Sequence, residues 1–571
     1  MRANLPSAEF SIVARQIETS PFVDELSIGL TSFSKLDAST LMSILEEAAK
    51  FADTYLQPLN DAGDKAGCTL GEDGRVRTCN EHKQAWEAFR EAGWLGLDMP
   101  ESYGGQGLPL ALALGVQELF DRSCSAFGMM LVPIRSAVKL LGAWAPEDLA
   151  HEWIPQLVSG EVAATICISE PQAGSDAQRI RTRADQGDDG VWRLSGQKCW
   201  ISFGDHDATD QIGQCVLART PGSKGLSLFL VPSERDGKRN GLSVLRIEEK
   251  MGLHASPTCV LEFEKSEAFL LGEEGRGLAQ MFVMITNMRL SVGAQGVGIA
   301  SGALDVAMQY AKERGQGGRG EAPIVIVEHA DVQRMLMEMA SAVDTTRGMG
   351  LAIATISEYS SLCDEARRKE LVAFVQWMLP IFKTAGSRAA FEVSSEAMQV
   401  LGGAGYTREW PVEQALRDAR VLEIFEGTTG IQGLDLLHRR VWQDDMHGMV
   451  VFVSLARGEL IDLEDNLAKN LTSALGLLEE TAGWLRLMQG DDRFHAEAGA
   501  DAFLDLAMLC AQGWIAARLA KLEGDDAVTR RLKASGRYFL RMLAARCEKA
   551  SAEAKLGGIA RCDVDAVLME H

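Results

Sequence analysis

Residues 424–432, IFEGTTGIQ, place one carboxylate, Glu426, between an apolar pair and a glycine. Poor hydration beside Ile424 and Phe425 would raise the pKa of this carboxyl and make it a better proton acceptor. Gly427 lets the backbone approach a ligand and frees the geometry of the turn. The same segment also fits an ordinary junction between a helix and a loop with a surface glutamate. The rest of the chain must therefore decide between a general base and a surface side chain.

Further motifs combine hydroxyls, small residues, aromatic rings and arginines, the side chains that suit a large anionic ligand. They are residues 167–176 (CISEPQAGSD), 198–202 (KCWIS), 250–256 (KMGLHAS), 399–406 (QVLGGAGY) and 417–420 (RDAR). Each is weak by itself: Trp200 alone would be interpreted as a core tryptophan of a strand.

Three kinds of segment must position these motifs. Residues 37 to about 160 carry apolar side chains at helical spacing, with Asp37 or Ser39 as a candidate cap and residues 100–107 as an interrupting loop. Between about 163 and 266, short β-branched or alternating runs separated by Gly, Pro, Asp and Ser predict a small antiparallel barrel or sandwich. Helix returns from Gly277, and Gly293, Gly296, Gly298 and Gly302 indicate tight helix–helix packing.

These segments predict an α+β multidomain fold. We expect an N-terminal helical domain (1–160), a middle β-barrel or sandwich domain (161–270), a C-terminal four-helix bundle with the candidate base (271–440) and an additional helical extension (441–571). Leucines of the extension recur at three- and four-residue spacing from Leu460 to Leu478. The basic residues 530–555 are interpreted as a solvated helix face.

Composition bounds the function. A chain of 571 residues exceeds a single core, and 46% hydrophobic with 24% charged residues is typical of soluble globular proteins. The net charge of −23 argues against general binding of nucleic acid or anionic membranes. The 11 cysteines contain no Cys-x-x-Cys pair, which indicates reduced thiols and no metal site. Without an apolar run of signal-peptide or membrane-spanning length, we expect a cytoplasmic protein with no stable membrane insertion.

With five motifs in order on this helix–strand–helix background, the chain resembles the acyl-CoA dehydrogenases from about residue 40 to 440. The long extension and residues 314–316 resemble one subgroup of that family. This subgroup has an extra helical domain and includes the 3-methylmercaptopropionyl-CoA dehydrogenases.

The resemblance implies an FAD cofactor between the β domain and the C-terminal helical bundle. Ser169 matches the hydroxyl that hydrogen-bonds the flavin ring, and Trp200 and Ser202 match the residues that flank it. Gly174 and Ser175 match the turn that approaches the flavin phosphates and the substrate.

A second group of residues matches FAD contacts that the family makes across a subunit interface, which implies at least a homodimer. Arg314 suits a pyrophosphate, and Gln399 and Gly403 match the other half of this shared site. Gln316, in the same motif as Arg314, and Thr428, after the glutamate, match further cofactor contacts.

The resemblance assigns Glu426 as the base for α,β-dehydrogenation of an acyl-CoA thioester. The base removes the α proton while the β hydrogen leaves as hydride to the flavin, and donors at the thioester carbonyl stabilise the developing enolate. Ser175, Arg289, Phe425 and Gly427 match the substrate side. Some relatives carry the base just before the matched arginine, but Met288 occupies that position here. An electron-transferring flavoprotein is the implied electron acceptor.

The chain departs from the family pattern at three positions. Gly430 stands where Gln or Glu is frequent, so one adenosine contact is in doubt; His254 replaces an arginine and is interpreted as structural; and Phe425 replaces a frequent tyrosine. The last change makes the acyl pocket more apolar.

The sequence leaves alternative functions open. An acyl-CoA oxidase differs in how its flavin is shielded from oxygen, and a non-catalytic nucleic-acid-binding relative is disfavoured by the net charge. A flavin monooxygenase lacks a base at the position of Glu426. The extension either replaces the second dimer of the usual tetramer, the interpretation favoured here, or attaches to a membrane surface.

Overall fold

Helices make up 66% of the residues that the structure describes. The structure, a computed structural model, describes residues 8–559 together with 564, 567 and 568. Its α-helices are α1 (Ala8–Glu18), α2 (Val23–Gly29), α3 (Thr31–Ser34), α4 (Ala38–Phe51), α5 (Gln57–Ala66), α6 (Asn80–Glu91), α7 (Leu110–Trp144), α8 (Glu147–Ser159), α9 (Gly277–Glu313), α10 (Ala330–Tyr359), α11 (Glu365–Leu401), α12 (Val412–Ala419), α13 (Thr429–Asp435), α14 (His447–Gly458), α15 (Asp465–Asp491), α16 (Arg493–Ala498), α17 (Ala500–Ala520) and α18 (Ala527–Leu556).

The chain divides into two compact units, and each is described by itself. Residues 1–46, 110–118 and 292–571 form the first, which we call the helical unit. Residues 47–109 and 119–291 form the second, which we call the barrel unit. The predicted helix start near Asp37 is confirmed, because the Asp37 Oδ1 accepts a hydrogen bond of 2.7 Å from the Thr40 N–H.

Eleven strands are found in the described part of the chain, all within the barrel unit. They are β1 (Thr69–Leu70), β2 (Val76–Arg77), β3 (Val162–Cys167), β4 (Arg183–Gln186), β5 (Trp192–Ser202), β6 (Gln211–Arg219), β7 (Leu226–Pro232), β8 (Glu234–Arg235), β9 (Lys238–Arg239), β10 (Leu242–Ile247) and β11 (Thr258–Leu271). The β1–β2 hairpin interrupts a region that was expected to be helical.

Seven of these strands form one sheet that closes on itself. Its order is β10-β11-β5-β4-β6-β3, and β7 pairs with both β11 and β6. Strand β11 pairs with three strands, β10, β5 and β7, and irregularities at Cys259/Leu261 and Glu264/Ser266 bend it along its length. The predicted barrel is thus confirmed, but the prediction that it is antiparallel was wrong for β6, which pairs in parallel with β3 and, at Arg183 and Arg219, with β4. Strand β3 runs parallel to β6 over six residue pairs, so the sheet is mixed.

Side chains that alternate along the strands fill the barrel. The fully buried members of this core include Leu194, Val216, Phe229, Leu261 and Cys259. The ten cysteines within the described residues are free thiols.

In the helical unit, small residues let α9 and α11 approach each other closely. A Cβ added at Gly296 would lie 2.1 Å from the Gly386 carbonyl oxygen, and one at Gly293 would lie 2.4 Å from the Phe382 ring. The prediction of tight helix packing is confirmed at these two positions.

A buried cluster of charges joins the extension to the rest of the helical unit. The Arg347 guanidinium on α10 contacts Glu118 at 2.6 Å, Asp344 at 3.0 Å and also Glu9 of α1. Asp344 accepts a further bond of 3.1 Å from Arg531 on α18. Burial opposes the charge on Arg347, but the surrounding carboxylates raise its pKa well above the usual value. Arg531 therefore departs from the predicted solvated face.

The leucine repeat of the extension is largely a core stripe. Leu467, Leu471, Leu475 and Leu478 of α15 are fully buried. By length and composition alone, α7, α9 and α17 of the described chain could cross a membrane, but their most apolar stretches are 83%, 89% and 72% buried within the protein.

Candidate active site

In the barrel unit, the two hydroxyl residues and the exposed tryptophan of the sequence motifs are held on neighbouring backbone. Ser169 lies just after β3, and Trp200 and Ser202 lie on β5. The Cys199 N–H donates to the Ser169 carbonyl at 3.0 Å. The Thr165 hydroxyl donates to the Ser202 carbonyl at 2.7 Å. The ends of β3 and β5 thus bring these residues together, and we call Ser169, Trp200 and Ser202 the strand-end cluster.

Trp200 is not a core side chain. It is 62% exposed, whereas its neighbours Cys199 and Ile201 on β5 are 4% and 2% exposed. Its backbone has a φ of 63°, a left-handed angle that is uncommon for a residue other than glycine. The structure therefore excludes the interpretation of Trp200 as a buried tryptophan and presents an open aromatic face instead.

A tight turn after Ser169 carries Gly174 and Ser175, both exposed. Glu170 and Ala173 exchange backbone hydrogen bonds of 3.0 and 2.9 Å across this turn. A Cβ added at Gly174 would meet no atom within 4 Å, so the space beside the turn is open. An open turn next to an exposed indole and hydroxyls fits a flat ring with a phosphate chain, as FAD has.

A buried ion pair between Lys198 and Glu170 lies next to the strand-end cluster and supports it. The Lys198 ammonium lies 2.9 Å from the Glu170 carboxylate and donates to the Ile168 carbonyl at 2.9 Å. Glu170 also accepts from the Thr182 hydroxyl at 2.6 Å and the Arg181 N–H at 2.7 Å. Burial opposes ionisation of Glu170, but the Lys198 ammonium and these hydrogen bonds outweigh it and lower its pKa to about 2.

Sequence reasoning quoted Glu170 and Lys198 within motifs but assigned them no role. The sequence did offer a sign of this pair, because Glu170 and Lys198 are opposite charges in or next to segments with the pattern of buried strands. Burial lowers the pKa of Lys198, and Glu170 counteracts part of that change. Through these contacts Lys198 fixes Ile168 and Glu170, the residues on either side of Ser169, and so helps to hold the Ser169 hydroxyl in place.

In the helical unit, Glu426 lies in a short loop that we call the glutamate loop, residues 422–428. Helix α12 ends at Ala419, a 3₁₀ turn follows over Arg420–Glu423, and α13 begins at Thr429. Glu426 and Gly427 have left-handed φ angles of 54° and 91°. Two such residues in succession turn the chain sharply between the helices.

The environment of Glu426 differs in one respect from the expectation. Its side chain is half-buried, and Phe425 packs with the buried Val292, Ala390 and Leu422. Ile424, however, is 52% exposed, so the prediction that it shields the carboxylate was wrong. The 3₁₀ turn rotates this side chain away from the core, and Phe425 alone supplies the apolar neighbour.

Side chains from two helices hold the backbone of the glutamate loop. The Lys383 ammonium of α11 donates to the Leu422 carbonyl at 2.6 Å and to the Gly427 carbonyl at 3.1 Å. The Gln432 amide of α13 donates to the Glu426 and Gly427 carbonyls at 3.0 and 3.2 Å. Sequence reasoning missed Lys383, although a single lysine inside the apolar run 377–386 was a usable signal.

The other predicted cofactor residues of the helical unit lie on its surface. Arg314 and Gln316 are exposed on a turn in which the Gln316 N–H donates to the Ile324 carbonyl at 2.9 Å. Gln399 and Gly403 are exposed where α11 ends. The Thr428 hydroxyl accepts from the Ile431 N–H at 3.4 Å and so caps α13.

Two further residues of the barrel unit were singled out from sequence. Arg289 is half-buried on α9 between Met288 and Leu290, which are 5% and 6% exposed, so it is not a free helix-surface arginine. His254 lies 2.7 Å from Asp64 and 2.9 Å from the Lys250 carbonyl. These contacts agree with its interpretation as a structural histidine.

Comparison with known proteins identifies the class. Three family models match: the acyl-CoA dehydrogenase N-terminal domain over residues 40–161, the middle domain over 165–266 and the C-terminal domain over 275–441. The chain belongs to the acyl-CoA dehydrogenase family of FAD-dependent oxidoreductases.

Two individual relatives match most of the length of the chain. A 3-methylmercaptopropionyl-CoA dehydrogenase of Ruegeria pomeroyi is 34% identical over 524 residues, covering 87% of this chain and 89% of that protein. The broad-specificity linear acyl-CoA dehydrogenase FadE5 of Mycobacterium tuberculosis is 30% identical over 530 residues and covers 86% of each.

One solved structure matches a smaller share of this chain. It is described as the electron transferring flavoprotein of Acidaminococcus fermentans, and it is 29% identical with a TM-score of 0.59. The match covers 96% of that chain but 69% of this one.

Proposed function

We propose that Glu426 is the base that removes the α proton of an acyl-CoA thioester, so that the product is a trans-2-enoyl-CoA. The observation that carries this assignment is the glutamate loop itself. A half-buried carboxylate stands on left-handed backbone, and buried side chains hold the carbonyls on both sides of it. Such backbone costs about 1–3 kcal/mol and persists where the surrounding structure fixes it for a function.

The strand-end cluster is proposed to hold the cofactor. Ser169 and Ser202 supply hydroxyls, Trp200 supplies the open aromatic face, and the turn of Gly174 and Ser175 supplies backbone beside open space. FAD, when bound, accepts the β hydrogen as hydride. The residues of this chain bind and orient the ring, and the buried Glu170–Lys198 pair keeps Ser169 in place.

On the substrate side, we assign Ser175, Arg289, Phe425 and Gly427 to acyl-CoA. Arg289 brings a positive charge on a half-buried side chain, which suits the anionic CoA. Phe425 gives the acyl chain an apolar neighbour next to the base. The names of the relatives include a thioether acyl group and linear acyl groups, so both belong among the substrates to be tested.

Two proposals concern assembly and electron transfer. Arg314, Gln316, Gln399 and Gly403 lie exposed on the helical unit, which suits a role at the FAD of a second subunit in a homodimer. An electron-transferring flavoprotein is proposed to reoxidise the enzyme in the cytoplasm, and the neighbour from Acidaminococcus fermentans supports this partner.

The test is anaerobic bleaching of the flavin by a panel of acyl-CoAs. Wild type is expected to bleach with at least one acyl-CoA, because the thioester makes the α proton removable. E426Q should keep FAD and bind acyl-CoA, but its bleaching rate should fall roughly 10²–10⁴-fold, the usual contribution of a general base. E423Q is the matched control, since Glu423 is also partly buried and lies 3.2 Å from Arg420. Bleaching by E426Q at the wild-type rate would remove the assignment.

A further inference from the structure

A buried lysine lies behind the glutamate loop. Lys383 of α11 is 1% exposed, yet its neighbours along the helix include the fully buried Phe382 and Ala385. Burying an ammonium among apolar side chains is costly unless hydrogen bonds compensate for the lost water. Lys383 obtains them in part from the Leu422 carbonyl at 2.6 Å and the Gly427 carbonyl at 3.1 Å.

These two carbonyls bracket Glu426 in the chain. One ammonium therefore joins Leu422, the first residue of the glutamate loop, to the glycine that follows the base. An ammonium can do this because its three N–H groups rotate freely and point in separate directions. The distance between the two anchor points is then fixed, and the residues between them have little freedom to rearrange.

The second donor to the Gly427 carbonyl comes from the opposite end of the loop. Gln432 donates to that carbonyl at 3.2 Å and to the Glu426 carbonyl at 3.0 Å. Gln432 is fully buried, as is Leu422. The backbone around Glu426 is thus held from the interior on both sides.

We propose that Lys383 is a positioning residue that fixes the left-handed conformation of Glu426 and so aims its carboxylate at the α carbon of the substrate. The inference rests on the proposed role of Glu426 as the base. Lys383 itself touches backbone and acts through the loop. A displacement of a catalytic group by about 1 Å can lower a rate about 100-fold, so a loop released from this anchor should be slow although substrate still binds.

The test uses the full-length holoenzyme and the variants K383M and K383R. Methionine keeps most of the length of the side chain and removes every donor, whereas arginine keeps donors and charge. At saturating acyl-CoA, K383M is expected to bleach about 30–100-fold more slowly than wild type. Its affinity for acyl-CoA and its FAD content should stay within about 3-fold, and K383R should recover at least part of the rate.

A purely structural effect is separated by a matched control. Leu467→Ala removes a fully buried side chain from α15 in the extension, away from the glutamate loop in sequence, and should lower the melting temperature without slowing bleaching. Hydrogen exchange of the peptide covering residues 424–430 is measured in parallel, and K383M is expected to exchange faster there.

The outcomes are distinct. If wild type bleaches, E426Q does not, and K383M bleaches at the wild-type rate, the positioning role is wrong while the proposed function stands. If no acyl-CoA bleaches the flavin of wild type, the proposed function fails. Unchanged hydrogen exchange in K383M would separately overturn the role of Lys383 in holding the glutamate loop. If K383M does not fold, Q432M decides, because it removes the other donor to Gly427: a wild-type bleaching rate with wild-type exchange in Q432M overturns the inference.

Discussion

Glu426 and Trp200 share a property that motif matching does not reveal. Both are non-glycine residues with left-handed backbone angles, φ 54° and 63°. Left-handed backbone costs such residues free energy and is retained mainly where neighbouring contacts enforce it. Lys383 and Gln432 hold the glutamate loop. Trp200 lies at a register irregularity between β5 and β11, and the pairing of Lys198 and Ile201 with β11 on either side of it fixes the surrounding backbone.

The ion pair beneath Ser169 leads to a prediction about cofactor retention. E170Q should lower the free energy of unfolding of the barrel unit by about 3–5 kcal/mol, because it leaves the Lys198 ammonium buried without its counter-charge. The purified variant should also carry less FAD, measured by the ratio of flavin to protein absorbance.

Two controls separate the ion pair from the loss of any charge. The double variant E170Q/K198M should regain much of the stability, since no buried charge is left unpaired. D185N removes a carboxylate of β4 that pairs with Arg183 at 2.8 Å on exposed surface, and should change little. Equal flavin content in E170Q and wild type would contradict the supporting role.

The sequence motifs predicted much of the candidate site, but not the buried side chains that hold it in place. The motifs located Glu426, Trp200 and Ser169 because such side chains stand out in the chain. Lys383 lies 43 positions before Glu426, and nothing in local sequence pairs a helical lysine with the carbonyls of a distant loop. Likewise, Ile424 looked like a shield for the carboxylate, but a 3₁₀ turn that sequence did not predict leaves it exposed.

Among the secondary-structure elements, the extension is attached by charge as well as by apolar packing. Asp344 of α10 accepts from Arg347 at 3.0 Å, Arg531 at 3.1 Å and the Ser535 hydroxyl at 2.7 Å. These donors come from α10 and α18, so one carboxylate joins the helical bundle to the last long helix.

D344N should therefore destabilise the helical unit. Removing the charge leaves two buried guanidinium groups with one partner fewer, and the expected loss is about 3 kcal/mol or more in the free energy of unfolding. Urea denaturation followed by circular dichroism measures it. D525N serves as the comparison, because Asp525 is 92% exposed and lies 3.6 Å from Arg530. A loss below about 1 kcal/mol in D344N would mean that apolar packing alone attaches α18.

Element types were largely predictable, whereas their pairing was not. Alternating side chains predicted the barrel, and leucines at three- and four-residue spacing indicated the apolar face of α15. The parallel pairing of β3 with β6 depends on which strands meet after a long excursion of the chain, which local periodicity does not encode. The same limitation applies to Arg531: its local sequence is basic and polar, and carboxylates of α1 and α10, distant in sequence, pair with it.

For the molecule as a whole, buried histidines in the barrel unit set its response to acid. His82 and His206 are fully buried, and each ring packs against Phe203, at 5.5 and 5.6 Å between centroids. Burial lowers the pKa of His82 to about 3 and that of His206 to about 4, against an unfolded value of 6.5. His206 also accepts a hydrogen bond of 3.2 Å from the Ala208 N–H, which requires an unprotonated nitrogen.

Acidification should therefore destabilise the barrel unit. Between pH 6.5 and about 4 the unfolded chain binds protons that the folded chain excludes, so stability is complete above pH 6.5 and is lost as the pH falls. Each histidine contributes a slope of roughly 1.4 kcal/mol per pH unit. Melting temperatures measured between pH 7.5 and 5 test this expectation.

A matched pair of variants identifies the source of the slope. H82F keeps an aromatic ring beside Phe127 and Phe203 and removes a titrating group, so its melting temperature should depend less on pH. H151Q replaces a histidine whose side chain is 64% exposed and should follow wild type. Identical acid slopes in H82F and wild type would assign the effect to other groups.

The buried thiols of the barrel can report how often the barrel opens. Cys167, Cys215 and Cys259 are fully buried on the strands β3, β6 and β11, and burial raises the pKa of Cys215 and Cys259 to about 12. Alkylating reagents react with thiolates, so the closed barrel is inert to them and each labelling event records a transient separation of its strands. A ligand that binds the closed form alone slows this labelling in proportion to its occupancy, which turns a chemical modification rate into a measure of cofactor affinity without any enzymatic assay.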